Sequence, residues 1–180
     1  MGMRKIKVLI ALFCVFFSSA QFASSTSMNL EILMLVNQYR AQHGLANLQL
    51  NTVLSTLAEK HSIDMAQKIL PVGHTGFDRR MQHVHARLPD TTAGAENVAY
   101  RYNSAKIVVD GWIHSPGHRR NILGNYTLTG IGIARNSAGD YYHTQLFVNQ
   151  QSGAHAVRSQ ATRHLDRWPR GFSFNGLSLH

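Results

Sequence analysis

The sequence predicts an α+β domain, and three observations carry that prediction. Apolar residues recur at helical spacing early in the chain, at Ile32, Leu35, Val36 and Tyr39 and again at Leu54, Leu57, Ala58, His61 and Met65. After Gly124 the texture changes: Ile131 and Ile133 alternate with Gly130 and Gly132, Asn136 to Asp140 supply turn residues, and alternation resumes from Tyr141 to Asn149. Helices followed by a glycine-rich hairpin imply helices packed on an antiparallel sheet. The third observation is size: 180 residues with 44% hydrophobic content suffice for one core.

The first twenty residues stand apart from that core. Arg4, Lys5 and Lys7 precede the apolar run Val8 to Phe17, and Ser18-Ser19-Ala20 supplies small residues at a cleavage point, the layout of a secretory signal peptide. The run is too short to span a bilayer, so no transmembrane segment is expected after its removal. The only cysteine, Cys14, leaves with it, and Phe13 before that cysteine argues against a lipoprotein cleavage site. The mature chain then has no disulfide, which reads as bacterial export to the periplasm or the extracellular space. Losing three cations lowers the formal net charge from +9 to +6. The remaining basic residues are scattered, apart from Arg158, Arg163, Arg167 and Arg170, so nucleic acid is not an expected partner.

Residues 21–28 read as a short linker, 29–150 as the folded domain and 151–180 as a basic tail, expected to be mobile with at most one docking turn near Trp168 and Phe174. The first helix is capped at Ser27 or Asn29 and stops near Gly44, with Leu45 as the apolar partner of that stop. Asn37 and Arg40 share one of its faces, either as a surface pair or as a clamp to another segment. Asn51 caps a second helix, closed by Pro71 and Gly73, in which His61 falls on the apolar stripe and reads as a core residue. His74 lies in the turn Gly73-His74-Thr75-Gly76. Arg79 and Arg80 follow, and His83 and His85 read as surface residues. Glu96, between Gly94 and the alternating Val98 and Tyr100, reads as part of a loop or the start of a strand. Ser104 caps a helix with Ile107, Val108, Gly111 and Trp112 on one face.

That helix runs into Ser115-Pro116. Proline disfavours helical backbone in the residue before it but suits the first turn of a new helix, so one helix ends here and another begins, with Ser115 as N-cap and its hydroxyl committed to a backbone N–H. His118 then sits in the first turn, where unpaired N–H groups favour its neutral form. Neutral imidazole accepts a hydrogen bond or binds a metal.

Seven segments, in order over about residues 30 to 149, resemble one family. They are Asn37-Gln38-Tyr39-Arg40, His61-Ser62-Ile63-Asp64-Met65-Ala66, His74-Thr75-Gly76, Ala95-Glu96-Asn97-Val98-Ala99, the run from Trp112 to Ile122, Gly130-Ile131-Gly132-Ile133-Ala134, and Tyr142-His143-Thr144-Gln145-Leu146-Phe147. The family is the CAP superfamily, which includes cysteine-rich secretory proteins, venom allergens, pathogenesis-related proteins and cysteine-free bacterial relatives. The bacterial branch fits best. The resemblance implies a three-layer α-β-α sandwich with a central antiparallel sheet and a cleft. In the eukaryotic branch that cleft holds two histidines and two glutamates, and the histidines can bind zinc. His74 matches the first histidine and Glu96 the first glutamate. Ser115 stands where the second glutamate would be, and Tyr142 where the second histidine would be. His118, one helical turn beyond Ser115, is spaced to place its ring in the same cleft.

Three functions follow. The first is a binding module that offers His74, Glu96, Ser115, His118 and Tyr142 to a lipid, peptide or cell-envelope ligand. No cofactor is required for it, although His74 and His118 could hold zinc or another divalent metal weakly. The second is a hydrolase, peptidase-like, with Ser115 as nucleophile, His118 or His74 as base and Glu96 as orienting acid. Binding is favoured over catalysis, because no nucleophile-elbow glycine pattern surrounds Ser115. The third is a buried polar network that pins helix to sheet and takes no ligand.

Overall fold

The computed structural model describes residues 28–151. The expected signal peptide, Cys14 and the tail from residue 152 lie outside the described residues.

Helix α1 covers residues 28–42 and buries Ile32 and Val36 completely, with Leu35 and Tyr39 packed at the margin of the same core. It stops as its sequence requires: Gly44 takes φ 71°, its N–H bonds to Ala41, and the N–H of Leu45 bonds to Arg40. The short strand β1 (Gln49–Leu50) leads to α2 (Thr52–Ala66), which Asn51 caps by accepting from the N–H groups of Val53 and Leu54. Helix α2 ends well before Pro71. Lys68 adopts φ 60°, its N–H bonds to Met65 and the N–H of Ile69 bonds to Asp64, so a left-handed lysine performs the termination assigned to Pro71 and Gly73.

Helix α3 (Phe77–Arg87) turns Met81 and Val84 inward and leaves His83 and His85 at the surface. Strand β2 (Thr91–Tyr100) follows, and Glu96 sits well inside it rather than at its start. Ser104 caps α4 (Ala105–His114). Its buried face is Ala105, Val108, Val109 and Trp112, while Ile107, assigned inward by the sequence, is half exposed. Helix α5 (Pro116–Ile122) begins at the expected break. The hairpin of β3 (Leu128–Arg135) and β4 (Tyr141–Gln150) closes the fold.

The sheet has the order β1-β3-β4-β2. The hairpin is extended by β2, antiparallel to β4 with Glu96 opposite Leu146, and by β1, which pairs parallel with β3 over two residues. Side chains of β4 alternate as predicted. Phe147 packs with α1, α4 and α5, whereas Leu146 and Val148 pack with α2 and α3. Three layers result, with β4 buried along nearly its whole length. Helix α2 lies almost directly on β3: a Cβ on Gly132 would stand 2.0 Å from the backbone of Glu59, and one on Gly130 2.2 Å from Leu54.

Arg40 resolves as a clamp. It is 2% exposed and donates to the carbonyls of Ala46, Ile122, Gly124 and Tyr126, tying α1 to the end of α5. Asn37 exchanges two hydrogen bonds with the backbone of Leu48.

Candidate functional site

Three segments meet around Glu96. Strand β2 supplies its carboxylate, only 2% exposed as a side chain. Arg80 reaches it from α3 with a forked pair of hydrogen bonds, Nε to Oε2 and Nη2 to Oε1, each 2.8 Å. His74, from the loop between α2 and α3, donates Nδ1–H to Oε1 over 2.9 Å.

The loop that carries His74 is itself tied down. The remaining guanidinium nitrogen of Arg80 donates to the Thr75 carbonyl at 2.9 Å and to His61 Nδ1 at 3.1 Å. His61 then donates from Nε2 to the Gly73 carbonyl at 2.9 Å. That assignment makes His61 neutral, and burial accordingly lowers its pKa below the ordinary histidine value. His61 is thus buried as expected, but in a polar network rather than an apolar core.

Helix α5 is pinned to the same stretch of β2. Asn121 donates to the Glu96 carbonyl at 3.1 Å and to Asn97 Oδ1 at 2.9 Å, and Asn97 donates to the His118 carbonyl at 3.2 Å. Those bonds hold the backbone of His118 against the strand next to Glu96. Burial lowers the pKa of His118 first, and the charge on His74 lowers it further. The neutral form expected from sequence is favoured, though by desolvation and a neighbouring imidazole rather than by helix N–H groups.

Ser115 occupies the N-cap position of α5, but its hydroxyl makes no capping hydrogen bond and none to either imidazole. Tyr142 is not part of the group. It lies on the Glu96 face of the sheet, yet it pairs with Tyr100 where Glu96 pairs with Leu146, a separation along the strand of about 13 Å at ~3.3 Å per residue. Its ring packs on Tyr100 and its hydroxyl accepts from Asn136, at 4% exposure.

The structure therefore joins His74 to Glu96, ties the backbone of His118 to the neighbouring Asn97, and leaves Tyr142 outside. Sequence reasoning missed Arg80, Asn97 and Asn121. Arg80 carried a usable signal: with Phe77, Met81, Val84 and Leu88 it lies on the inward stripe of α3, and an arginine there requires a buried acceptor. The asparagines carried none, because an amide side chain shows no periodicity.

A zinc site of the eukaryotic kind does not fit these residues. Glu96 is saturated by Arg80 and His74, and among the described residues no group of three His, Cys, Asp or Glu side chains could hold a metal ion. Two imidazoles fall short of the three protein ligands that open zinc sites use.

Known proteins bear on this arrangement. The family model described as "CAP: Cysteine-rich secretory protein family" matches residues 33–149. The chain is 32% identical over 130 residues to the uncharacterized membrane protein YlbC of Bacillus subtilis, covering 69% of this chain and 35% of that protein. It is 33% identical over 125 residues to the uncharacterized protein YkwD of the same organism, covering 67% and 46%. The chain thus spans less than half the length of these relatives. Among solved structures, an extracellular SCP-domain protein of Bacillus anthracis superposes with a TM-score of 0.60 at 23% identity, covering 69% of this chain and 41% of that one. An outer surface protein of Borrelia burgdorferi superposes at 0.59 with 19% identity, covering 66% and 90%. At such identities the superpositions speak for the fold alone, and they agree with the three layers described above. With its family model matched across helices, sheet and the Glu96 site, the chain belongs to the CAP superfamily, the cysteine-rich secretory protein family.

Proposed function

We propose that the protein is exported and that its CAP domain is a binding module whose contact groups are the imidazoles of His74 and His118, with Ser115 at their margin. Export is supported by the leader pattern of residues 1–20 and by two structural relatives, one an extracellular protein and the other an outer surface protein. The observation that carries the binding reading is the division of labour at Glu96. Arg80 saturates and buries the carboxylate, and the carboxylate in turn fixes His74 by Nδ1, leaving Nε2 of a 56% exposed imidazole available. Glu96, Arg80 and His61 are the frame, and the two imidazoles are the face offered to a polar group of a lipid, peptide or cell-envelope ligand.

The hydrolase alternative lacks its first requirement, a hydrogen bond between the Ser115 hydroxyl and a base. A divalent cation at His74 and His118 would draw its other ligands from solvent or from the bound molecule, so it would be labile.

Histidine-resolved NMR titrations test the reading, with muramyl dipeptide, a tripeptide and phosphatidylglycerol vesicles as probes. One of the three should shift both imidazole resonances, and the His74→Ala and His118→Ala variants should lose that response without loss of thermal stability. Unmoved imidazoles with all three probes, or undiminished binding by the double variant, overturn it.

A further inference from the structure

Apart from the backbone bonds that start α3, the loop of residues 73–76 is tied to the body, among the described residues, by side-chain bonds alone. His74 bonds to Glu96, Arg80 to the Thr75 carbonyl and His61 to the Gly73 carbonyl. Glycines at positive φ bound the loop, Gly73 at 143° and Gly76 at 77°, so no side chain resists rotation at either end.

His61 and Arg80 meet at one atom pair, Nη1 of Arg80 and Nδ1 of His61, 3.1 Å apart. A guanidinium offers no acceptor, so Nδ1 must accept, and only the tautomer protonated on Nε2 serves both Arg80 and Gly73. A second proton on this ring turns the acceptor into a donor that faces another donor of like charge.

Charged or titratable groups surround His61 on every side. Asp64 lies on its own helix, Arg80 reaches it from α3 and Glu96 from β2, His74 sits in the loop, and Lys60, Arg79 and His83 also line the hollow that His61 borders between α2 and α3. Glu96 is engaged by Arg80 and Asp64 by Lys60, and neither carboxylate bonds the ring. The ring is 2% exposed, and the hollow is the side on which it has room to move.

We propose that His61 is the positioning residue of the His74 face and its proton switch. Neutral, it holds the loop closed; protonated, it withdraws from Arg80 into the hollow and draws Gly73, and with it His74, away from Glu96. This role rests on the reading of His74 as a contact group. Burial lowers the pKa of His61, so the loop is closed at neutral pH and opens only below about 6.5, the ordinary histidine value.

Histidine-resolved NMR of the full unliganded chain from pH 8 to 5 tests the switch, which can therefore fail while His74 still binds, or hold while no ligand is found. At pH 8 His61 should show the tautomer protonated on Nε2. The amides of residues 73–76 should shift along the titration of His61, while the Leu146 amide in β4 keeps its protection from hydrogen exchange. His61→Gln supplies an amide that accepts and donates but does not titrate, and its loop should stay in the closed position down to pH 5. His61→Phe removes both bonds and should displace the loop at every pH. If that variant does not fold, the titration of the unaltered chain still decides. Loop amides that follow His74 or global unfolding instead of His61 overturn the proposal. So does a loop unmoved once His61 is charged, or a pH response that persists in His61→Gln.

Discussion

Glu96 accepts two hydrogen bonds from Arg80 and one from His74 while almost fully buried, so its removal strands a guanidinium that is itself only 10% exposed. Breaking a buried pair from one side leaves an uncompensated charge, and Glu96→Ala is expected to lose about 3–5 kcal/mol of stability in urea unfolding. A loss under ~1 kcal/mol, the scale of an exposed pair, would show that the network is not a structural frame. Ser115 leads to the opposite expectation. A capping serine is worth about 1 kcal/mol, but here the hydroxyl makes no capping bond, so Ser115→Ala should change stability by less than ~0.5 kcal/mol. A cost of the full capping size, read from the same unfolding curves, would contradict the observed geometry.

At the scale of elements, the decisive contact is α2 on β3. Gly130 and Gly132 face α2 and lack side chains, which lets the helix backbone lie against the strand. A methyl at Gly132 has backbone rather than a yielding side chain in its path, at 2.0 Å. Gly132→Ala is therefore expected to be destabilising by about 1–3 kcal/mol or more, measured as a fall in urea midpoint at unchanged m-value. Gly139→Ala provides the contrast, since its strain is one of backbone φ in the turn between β3 and β4, at 90°, rather than of layer separation. The alternation that exposes this face was legible in the sequence. That α2 is the helix resting on it was not, because a glycine marks close approach without naming what approaches.

For the whole molecule, proton uptake links the layers. Burial is the first cause of a lowered pKa at His61 between α2 and α3, at His118 on α5 and at His143 in the sheet. A histidine whose folded pKa lies below its unfolded value binds fewer protons when folded. Its stabilisation is complete above the unfolded value, roughly 6.5, and is lost as pH falls below it towards the folded value. Urea midpoints should be level from pH 8 to 7 and decline steadily from pH 6.5 to 5. His143 is fully buried, donates Nε2–H to the Tyr102 carbonyl at 2.8 Å and leaves Nδ1 without a partner. His143→Phe should therefore flatten part of the decline, and an identical slope in that variant would remove His143 from the account.

What the sequence determined by itself was local or cumulative. Asn51 and Ser104 as caps, the Gly44 stop, the helix break at Ser115-Pro116 and the two faces of β4 all depend on residues within a turn or two of one another. Family membership was legible because seven short segments recur in order. Only the tertiary structure decided that Arg80 seeks Glu96, that Asn97 and Asn121 bind α5 to the edge strand, and that Arg40 clamps rather than decorates α1. It also decided that Tyr142 stands apart from the imidazoles. A buried charge or amide requires a partner, but its own neighbours in sequence do not say which distant segment provides one. That choice is made when the layers close and each polar group must find an acceptor or donor within hydrogen-bond reach.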